Sequence, residues 1–222
     1  MAPVTGKLAR GDLNRVFARA LFIQATIHRR GMQNLGLLSA LSAGADRVTA
    51  DPVALLSRHT EHFNTNPNMA PIVIGGVLRI EEDGDRGGPA SVSRFKQACA
   101  SALAGAGDVF FGGGLRPVAL TLVTLFAIYR FFPGLVAVFL SYNAVLIAVR
   151  YRGLSYGYAR GWGLIDAFSS SRVQRALVLV RTGAACAGGM LSGVIATGAF
   201  ARGTRVFAAT VKGRVEGVEA TA

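Results

Sequence analysis

Residues 58–82, RHTEHFNTNPNMAPIVIGGVLRIEE, hold the densest set of side chains able to do chemistry. Asn64, Thr65, Asn66 and Asn68 crowd around Pro67, and an apolar run over 69–80 then leads into Glu81 and Glu82. Amides and carboxylates at the ends of a short apolar segment are expensive unless they face a protein interior or a polar cavity, so they are candidates for holding a ligand. The same residue types cap helices, and the carboxylates can pair with Arg58 or Arg79, so a structural reading stands beside the ligand reading. His59 and His62 are three apart with Glu61 between them, but no H-E-x-x-H pattern or second ligand pair accompanies them, and no metal site is assigned. Cys99 and Cys186, far apart, support neither a disulfide framework nor a thiolate metal site. GAGDVFFGGG, residues 105–114, lacks the third glycine and the preceding strand of a dinucleotide loop. RYRGLSYGYARGW, residues 150–162, interleaves bases with aromatics as single-strand binders do. It directly follows an apolar run, where Tyr, Trp and Arg mark the headgroup layer, so no nucleic acid partner is assigned. No catalytic residue and no cofactor emerge.

The elements that must position these groups belong to a membrane protein. Half of the 222 residues are hydrophobic (51%) and only 16% are charged, against about a quarter in soluble chains. The 24 Lys and Arg against 12 Asp and Glu fit loops held at anionic lipid headgroups. The first 30 residues have no uninterrupted apolar core, so no cleavable signal peptide is expected. Leu13, Val16, Phe17, Ala20 and Leu21 form one helical stripe with Arg15 and Arg19 off it. This amphipathic helix either lies in the interface plane or packs on the protein. Residues 37–66 read as helix and loop, with Asp51 as N-cap and Pro52 at the first helical position. The run over 69–80 is too short to span a bilayer, which takes about 20 apolar residues, and is expected to be re-entrant or buried.

Breaker residues make 83–93 a loop. Two apolar runs over 117–129 and 131–149 flank Arg130, with Pro133 and Gly134 in the bend, and a third over 182–201 carries Gly189 and Gly193 at GxxxG spacing. The fold class is therefore an all-α membrane protein: N-terminal amphipathic helices, re-entrant or broken helices, and two to three transmembrane helices. Its polar helical part is expected over 1–68, its membrane part over 69–211, and a polar tail over 212–222. Asp108 and Arg116, eight residues apart across a Gly-rich bend, read as an ion pair holding a turn, since buried charges need partners. Asn143, in the middle of an apolar run, needs a hydrogen-bond partner on a neighbouring helix.

Four ordered blocks resemble the IID component of mannose-family sugar phosphotransferase systems. FARALFIQATIHRRGMQNLGLL, with Gln24 and residues 31–36, is similar to a Q...NxERMQxLG pattern. The run from Arg58 to Glu82 is similar to RHxxFFNTxP ending in LxLEE, and ALAGAGDVFFGGGLRPV to PLAGxGDxxFWGxxRPI. SYNAVLIAVRYRGLSYGYARG is similar to a helix carrying FN, then RY and GYxxG. Together they cover most of residues 17–161. The chain departs from the pattern at His28, Arg30 and Gly31, where the family has Asn, Glu and Arg, at His62 for Phe, and at Gly112 for an aromatic. The stretch after the fourth block is shorter than in the family.

The resemblance implies a multi-pass subunit of the cell (inner) membrane that, with IIC, passes a hexose-type sugar across the bilayer. Cytoplasmic IIA and IIB carry phosphate, and IIB phosphorylates the sugar on arrival. By the same resemblance this chain is expected to be a non-catalytic subunit of that group translocation, working as an oligomer of IIC–IID pairs. The residues expected to meet sugar are Asn64, Thr65, Asn66 and Glu81 or Glu82, with Gln33 behind them. The departures favour a second reading, a IID-like scaffold with a regulatory or interaction role and no transport.

Overall fold

The computed structural model describes residues 8–84 and 88–169, together with scattered positions between 175 and 197. The chain opens with α1 (Arg10–Ala20), which buries Leu13, Val16 and Ala20. Its apolar stripe therefore meets the protein core, the packed alternative of the two expected. Asp12 in the first turn accepts from the Ala9 amide and pairs with Arg15, and the Arg15 bond together with that amide holds its carboxyl below the usual range. Three short helices come next: α2 (Asn34–Ser42), α3 (Ala45–Val48) and α4 (Pro52–Arg58). The expected cap is present, with Asp51 Oδ1 accepting from the Ala54 amide at 2.9 Å and Pro52 at the first helical position.

Helix α5 (Ala70–Asp83) is the centre of the molecule. Every residue from Ala70 to Leu78 is buried, so over this stretch no face is left for water or lipid, and only Arg79, Glu82 and Asp83 in the last turn reach the surface. A helix apolar all round belongs inside a protein, and the run over 69–80 is buried rather than re-entrant. It lies along the second half of α8 (Phe132–Arg160), where two glycines set the spacing. A Cβ on Gly75 would overlap the Leu154 carbonyl, and one on Gly157 would overlap that of Ile72. Backbone meets backbone here, as in tight small-residue helix pairs.

Between α5 and α8 runs one long helix. It begins as α6 (Pro89–Gly107), widens into a π-helical segment (Asp108–Leu115), and continues as α7 (Arg116–Ile128). The Gly-rich stretch is therefore not a bend. Ala90–Ile128 and Phe132–Phe168 are long and apolar enough to cross a membrane. They are joined by a tight turn in which Arg130 takes a left-handed φ of 53° and the Phe131 amide donates to the Phe126 carbonyl at 2.8 Å. A 3-10 turn (Gly161–Gly163) and α9 (Leu164–Ser169) close the continuously described part.

The core unites both halves of the chain: Leu13, Leu37 and Phe63 pack in one cluster with Val73, Phe95, Leu103 and Tyr158. The parts expected on either side of residue 68 thus share one core. Nothing on α7 is buried, and α7 stands clear of that core with the first half of α8, whose buried residues beyond Gly134 all lie from Gly153 onward. The architecture is all-α, and among the described residues the only extended pairing is two isolated bridges at Met32. The third apolar run lies mostly outside the described residues, as does the tail over 212–222. Gly189 and Gly193, which are described, would meet nothing within 4 Å if given a Cβ.

Candidate functional site

The loop over 59–69 is stapled at every turn by side chains from four directions. Gln33 is buried and forms two bonds with the backbone of Thr65, donating to its carbonyl at 2.9 Å and accepting from its amide at 3.2 Å. The Thr65 hydroxyl donates to the Ala100 carbonyl on α6 at 2.8 Å. Asn66 Nδ2 donates to Asp108 Oδ1 at 3.0 Å, while Asn66 Oδ1 accepts from the Asn68 amide at 3.0 Å. Asn68 Oδ1 in turn accepts from Arg150 Nε on α8 at 2.9 Å. Gly107 is the reason Asn66 fits, because a Cβ there would lie 2.5 Å from the Asn66 side chain.

A second polar layer lies at the other end of α5. Glu81 is buried, with Arg58 donating to Oε2 at 2.5 Å and His59 Nε2 bonded to Oε1 at 3.0 Å. Burial alone would raise its pKa, but the His59 and Arg58 bonds hold the carboxyl below the usual range. Glu82 accepts from the Tyr158 hydroxyl and lies 3.8 Å from Arg79. Lys96 on α6 is fully buried and pairs with Glu61 at 2.7 Å, whose other oxygen accepts from Ser93 at 2.7 Å. Burial pushes the Glu61 carboxyl up, yet the Lys96 and Ser93 bonds outweigh it and leave the pKa lowered.

Among the six residues expected to meet sugar, the structure brings Gln33, Thr65 and Asn66 together and places Glu81 and Glu82 in the second layer, each with its own partners. Gln33, Thr65 and Glu81 have their polar atoms turned to protein partners. Asn64 is exposed and forms no hydrogen bond among the described residues. The expected Asp108–Arg116 ion pair does not form: the two residues bound a continuous π segment, and Asp108 bonds Asn66 instead. Asn143 donates to the Phe139 carbonyl of its own helix at 2.8 Å, so within this chain it does not reach a neighbouring one. Sequence reasoning missed Arg150 as a neighbour of the loop, and missed Lys96. A base next to an apolar run reads as a headgroup anchor, and only the fold brings Arg150 to Asn68.

Comparison with known proteins gives the family. The family model of the mannose/fructose/sorbose IID component of phosphotransferase systems matches residues 7–210. The chain belongs to that family. The IID chain is 29% identical over 197 residues to the sorbose-specific EIID component of Lacticaseibacillus casei, covering 86% of this chain and 68% of that one. It is 29% identical over 176 residues to the mannose-specific EIID component of Escherichia coli K12, of whose length it spans 62%, with 76% of this chain covered. Its fold is similar to the mannose transporter ManYZ solved with microcin E492, with a TM-score of 0.66 and 28% identity over 86% of this chain and 70% of that one. Another membrane protein structure matches with a TM-score of 0.75 at 28% identity, over 85% of this chain and 70% of that one. The IID chain is thus a membrane component of a sugar phosphotransferase system.

Proposed function

We propose that this IID chain forms, with a IIC subunit, the path by which a hexose-type sugar crosses the cell membrane, to be phosphorylated on arrival by IIB with phosphate relayed from IIA. The observation that carries the reading is the uncovered α7–α8 hairpin. Phe132, Phe139 and Leu140 are exposed, Phe139 at 65%, and the two helices leave a cavity of about 250 Å³ lined by Val118, Leu122, Val138 and Val145 among others. Lipid can cover such a surface, but Asn143 sits on it with only its own helix as partner, and an amide at that depth favours a protein neighbour. A membrane helix of IIC meets both requirements. The likeness to the mannose transporter ManYZ supports a paired IIC–IID unit and a multi-pass placement.

Within that unit the asparagine loop is the sugar-facing element. Asn64 is the exposed contact and Asn66 its neighbour. Gln33 and Thr65 hold the loop's backbone, and Glu81 and Glu82 fix α5 against α4 and α8. A regulatory scaffold without transport is the second reading, favoured by Arg30, exposed where the family pattern carries a carboxylate. Expression in a host deleted for its own IID, together with the cognate IIC, IIA and IIB, separates them. Restored sugar uptake and co-purification with IIC support transport, whereas co-purification without uptake of any sugar supports the scaffold.

A further inference from the structure

The hydrogen bonds around the loop form one continuous row. Arg150 Nε donates to Asn68 Oδ1, the Asn68 amide donates to Asn66 Oδ1, and Asn66 Nδ2 donates to Asp108 Oδ1. The row thus crosses from α8 to the first residue of the π segment. Its two ends are opposite in charge and incompletely used. Arg150 is half-buried in a long apolar helix, and among the described residues it has no carboxylate partner and no bond beyond Nε. A guanidinium offers five donors, so four N–H groups on its two terminal nitrogens remain. Asp108 is exposed, with one oxygen spent on Asn66 and no cationic partner among the described residues.

We propose that Arg150 and Asp108 are substrate-contacting residues, the donor and acceptor ends of a row that reads hydroxyls of a neutral sugar. This rests on the transport reading above. A charged side chain in a membrane helix without a counter-charge is expensive and marks a functional position. Arg150 alone would favour an anion, and Asp108 alone a cation. Together, at opposite ends of one row, they disfavour both and suit a group that accepts at one hydroxyl and donates at another. The π segment that starts at Asp108 fits the same account, since such segments occur frequently at functional sites. Asn66 and Asn68 occupy each other and the two ends, so they space the row.

The test is labelled-sugar uptake by cells carrying the complete system, with wild type, Arg150→Gln or Asp108→Asn, and with membrane abundance and IIC co-purification measured in parallel. Gln can still donate to Asn68 and Asn can still accept from Asn66, so each variant keeps the row and loses its charged end. The expected result is a rise in KM of about tenfold or more for Arg150→Gln, with a smaller rise for Asp108→Asn, at normal abundance. Unchanged KM in Asp108→Asn and Arg150→Gln at normal abundance, while wild type transports, overturns the inference and leaves the transport reading intact. Lost abundance or IIC association with unchanged KM also overturns it, reducing the row to a clamp. Absence of uptake with wild type removes the transport reading and this inference together.

Discussion

Asn66 Nδ2 donates to Asp108 Oδ1 at 3.0 Å, joining residues 42 apart in sequence. The bond ties the loop that leads into α5 to the point where α6 gives way to the π segment. It exists because Gly107 leaves room for the Asn66 side chain, so AGAGD works as a docking notch.

Filling the notch should cost stability. Gly107→Val places side-chain carbon where Asn66 sits, and overpacking of this kind costs about 1–3 kcal/mol. Thermal unfolding of the detergent-solubilised protein should show a lowered Tm, and Asn66→Ala in the same background should restore part of the loss.

The Lys96–Glu61 pair should respond asymmetrically. Lys96 is 0% exposed, whereas the Glu61 side chain is 37% exposed. Glu61→Gln strands a buried ammonium, a loss of about 3–5 kcal/mol. Lys96→Met leaves a carboxylate that water can reach and puts an apolar chain in an apolar place, so its Tm should stay near wild type. Equal losses in the two variants would contradict this packing.

Glu81 should make the protein acid-sensitive. The His59 and Arg58 bonds more than offset the effect of burial and hold its carboxyl below the usual value. A carboxylate depressed in the folded state contributes stability above its unfolded pKa of about 4.3, and that contribution fades as pH falls through the lower folded value. Tm should be steady down to about pH 5 and decline below it. Glu81→Gln should lower Tm at pH 7, by about 3 kcal/mol in stability, and flatten the acid decline.

Asn64→Ala should weaken sugar affinity without disturbing the fold, because Asn64 is exposed and unbonded among the described residues. Loss of one hydrogen bond to a neutral ligand is worth about 0.5–1.5 kcal/mol, or roughly 2- to 13-fold in affinity. Uptake kinetics with parallel immunoblots of membrane abundance measure it.

Features set by local sequence were legible: the Asp51–Pro52 start of α4, the stripe of Leu13, Val16 and Ala20, and the two apolar runs on either side of the Arg130 turn. Whether α5 was re-entrant or buried was not, since an apolar run has no period to aim it, and the choice depends on Gly75 meeting Gly157 across α8. The density of Asn and Thr around Pro67 located the loop. Its partners were hidden because they are non-local, with Gln33 reaching Thr65 across 32 residues and Arg150 reaching Asn68 across 82. The Asp108–Arg116 expectation failed because it took the glycines for a bend; a continuous π segment leaves Asp108 to bond Asn66 instead. Asn143 met its own helix because an amide can back-bond the carbonyl four residues earlier, and a single chain's sequence does not show which subunit lies beside it.

The most direct measurement of the central claim is reconstitution. Vesicles containing this chain and its cognate IIC, supplied outside with IIA, IIB and a phosphoryl donor, are loaded with labelled hexoses, and sugar phosphate is measured outside the vesicles. Phosphorylated sugar is expected with both subunits present and none with either subunit omitted. Production by IIC alone at the same rate, or none by the stable pair with any hexose, would contradict the claim.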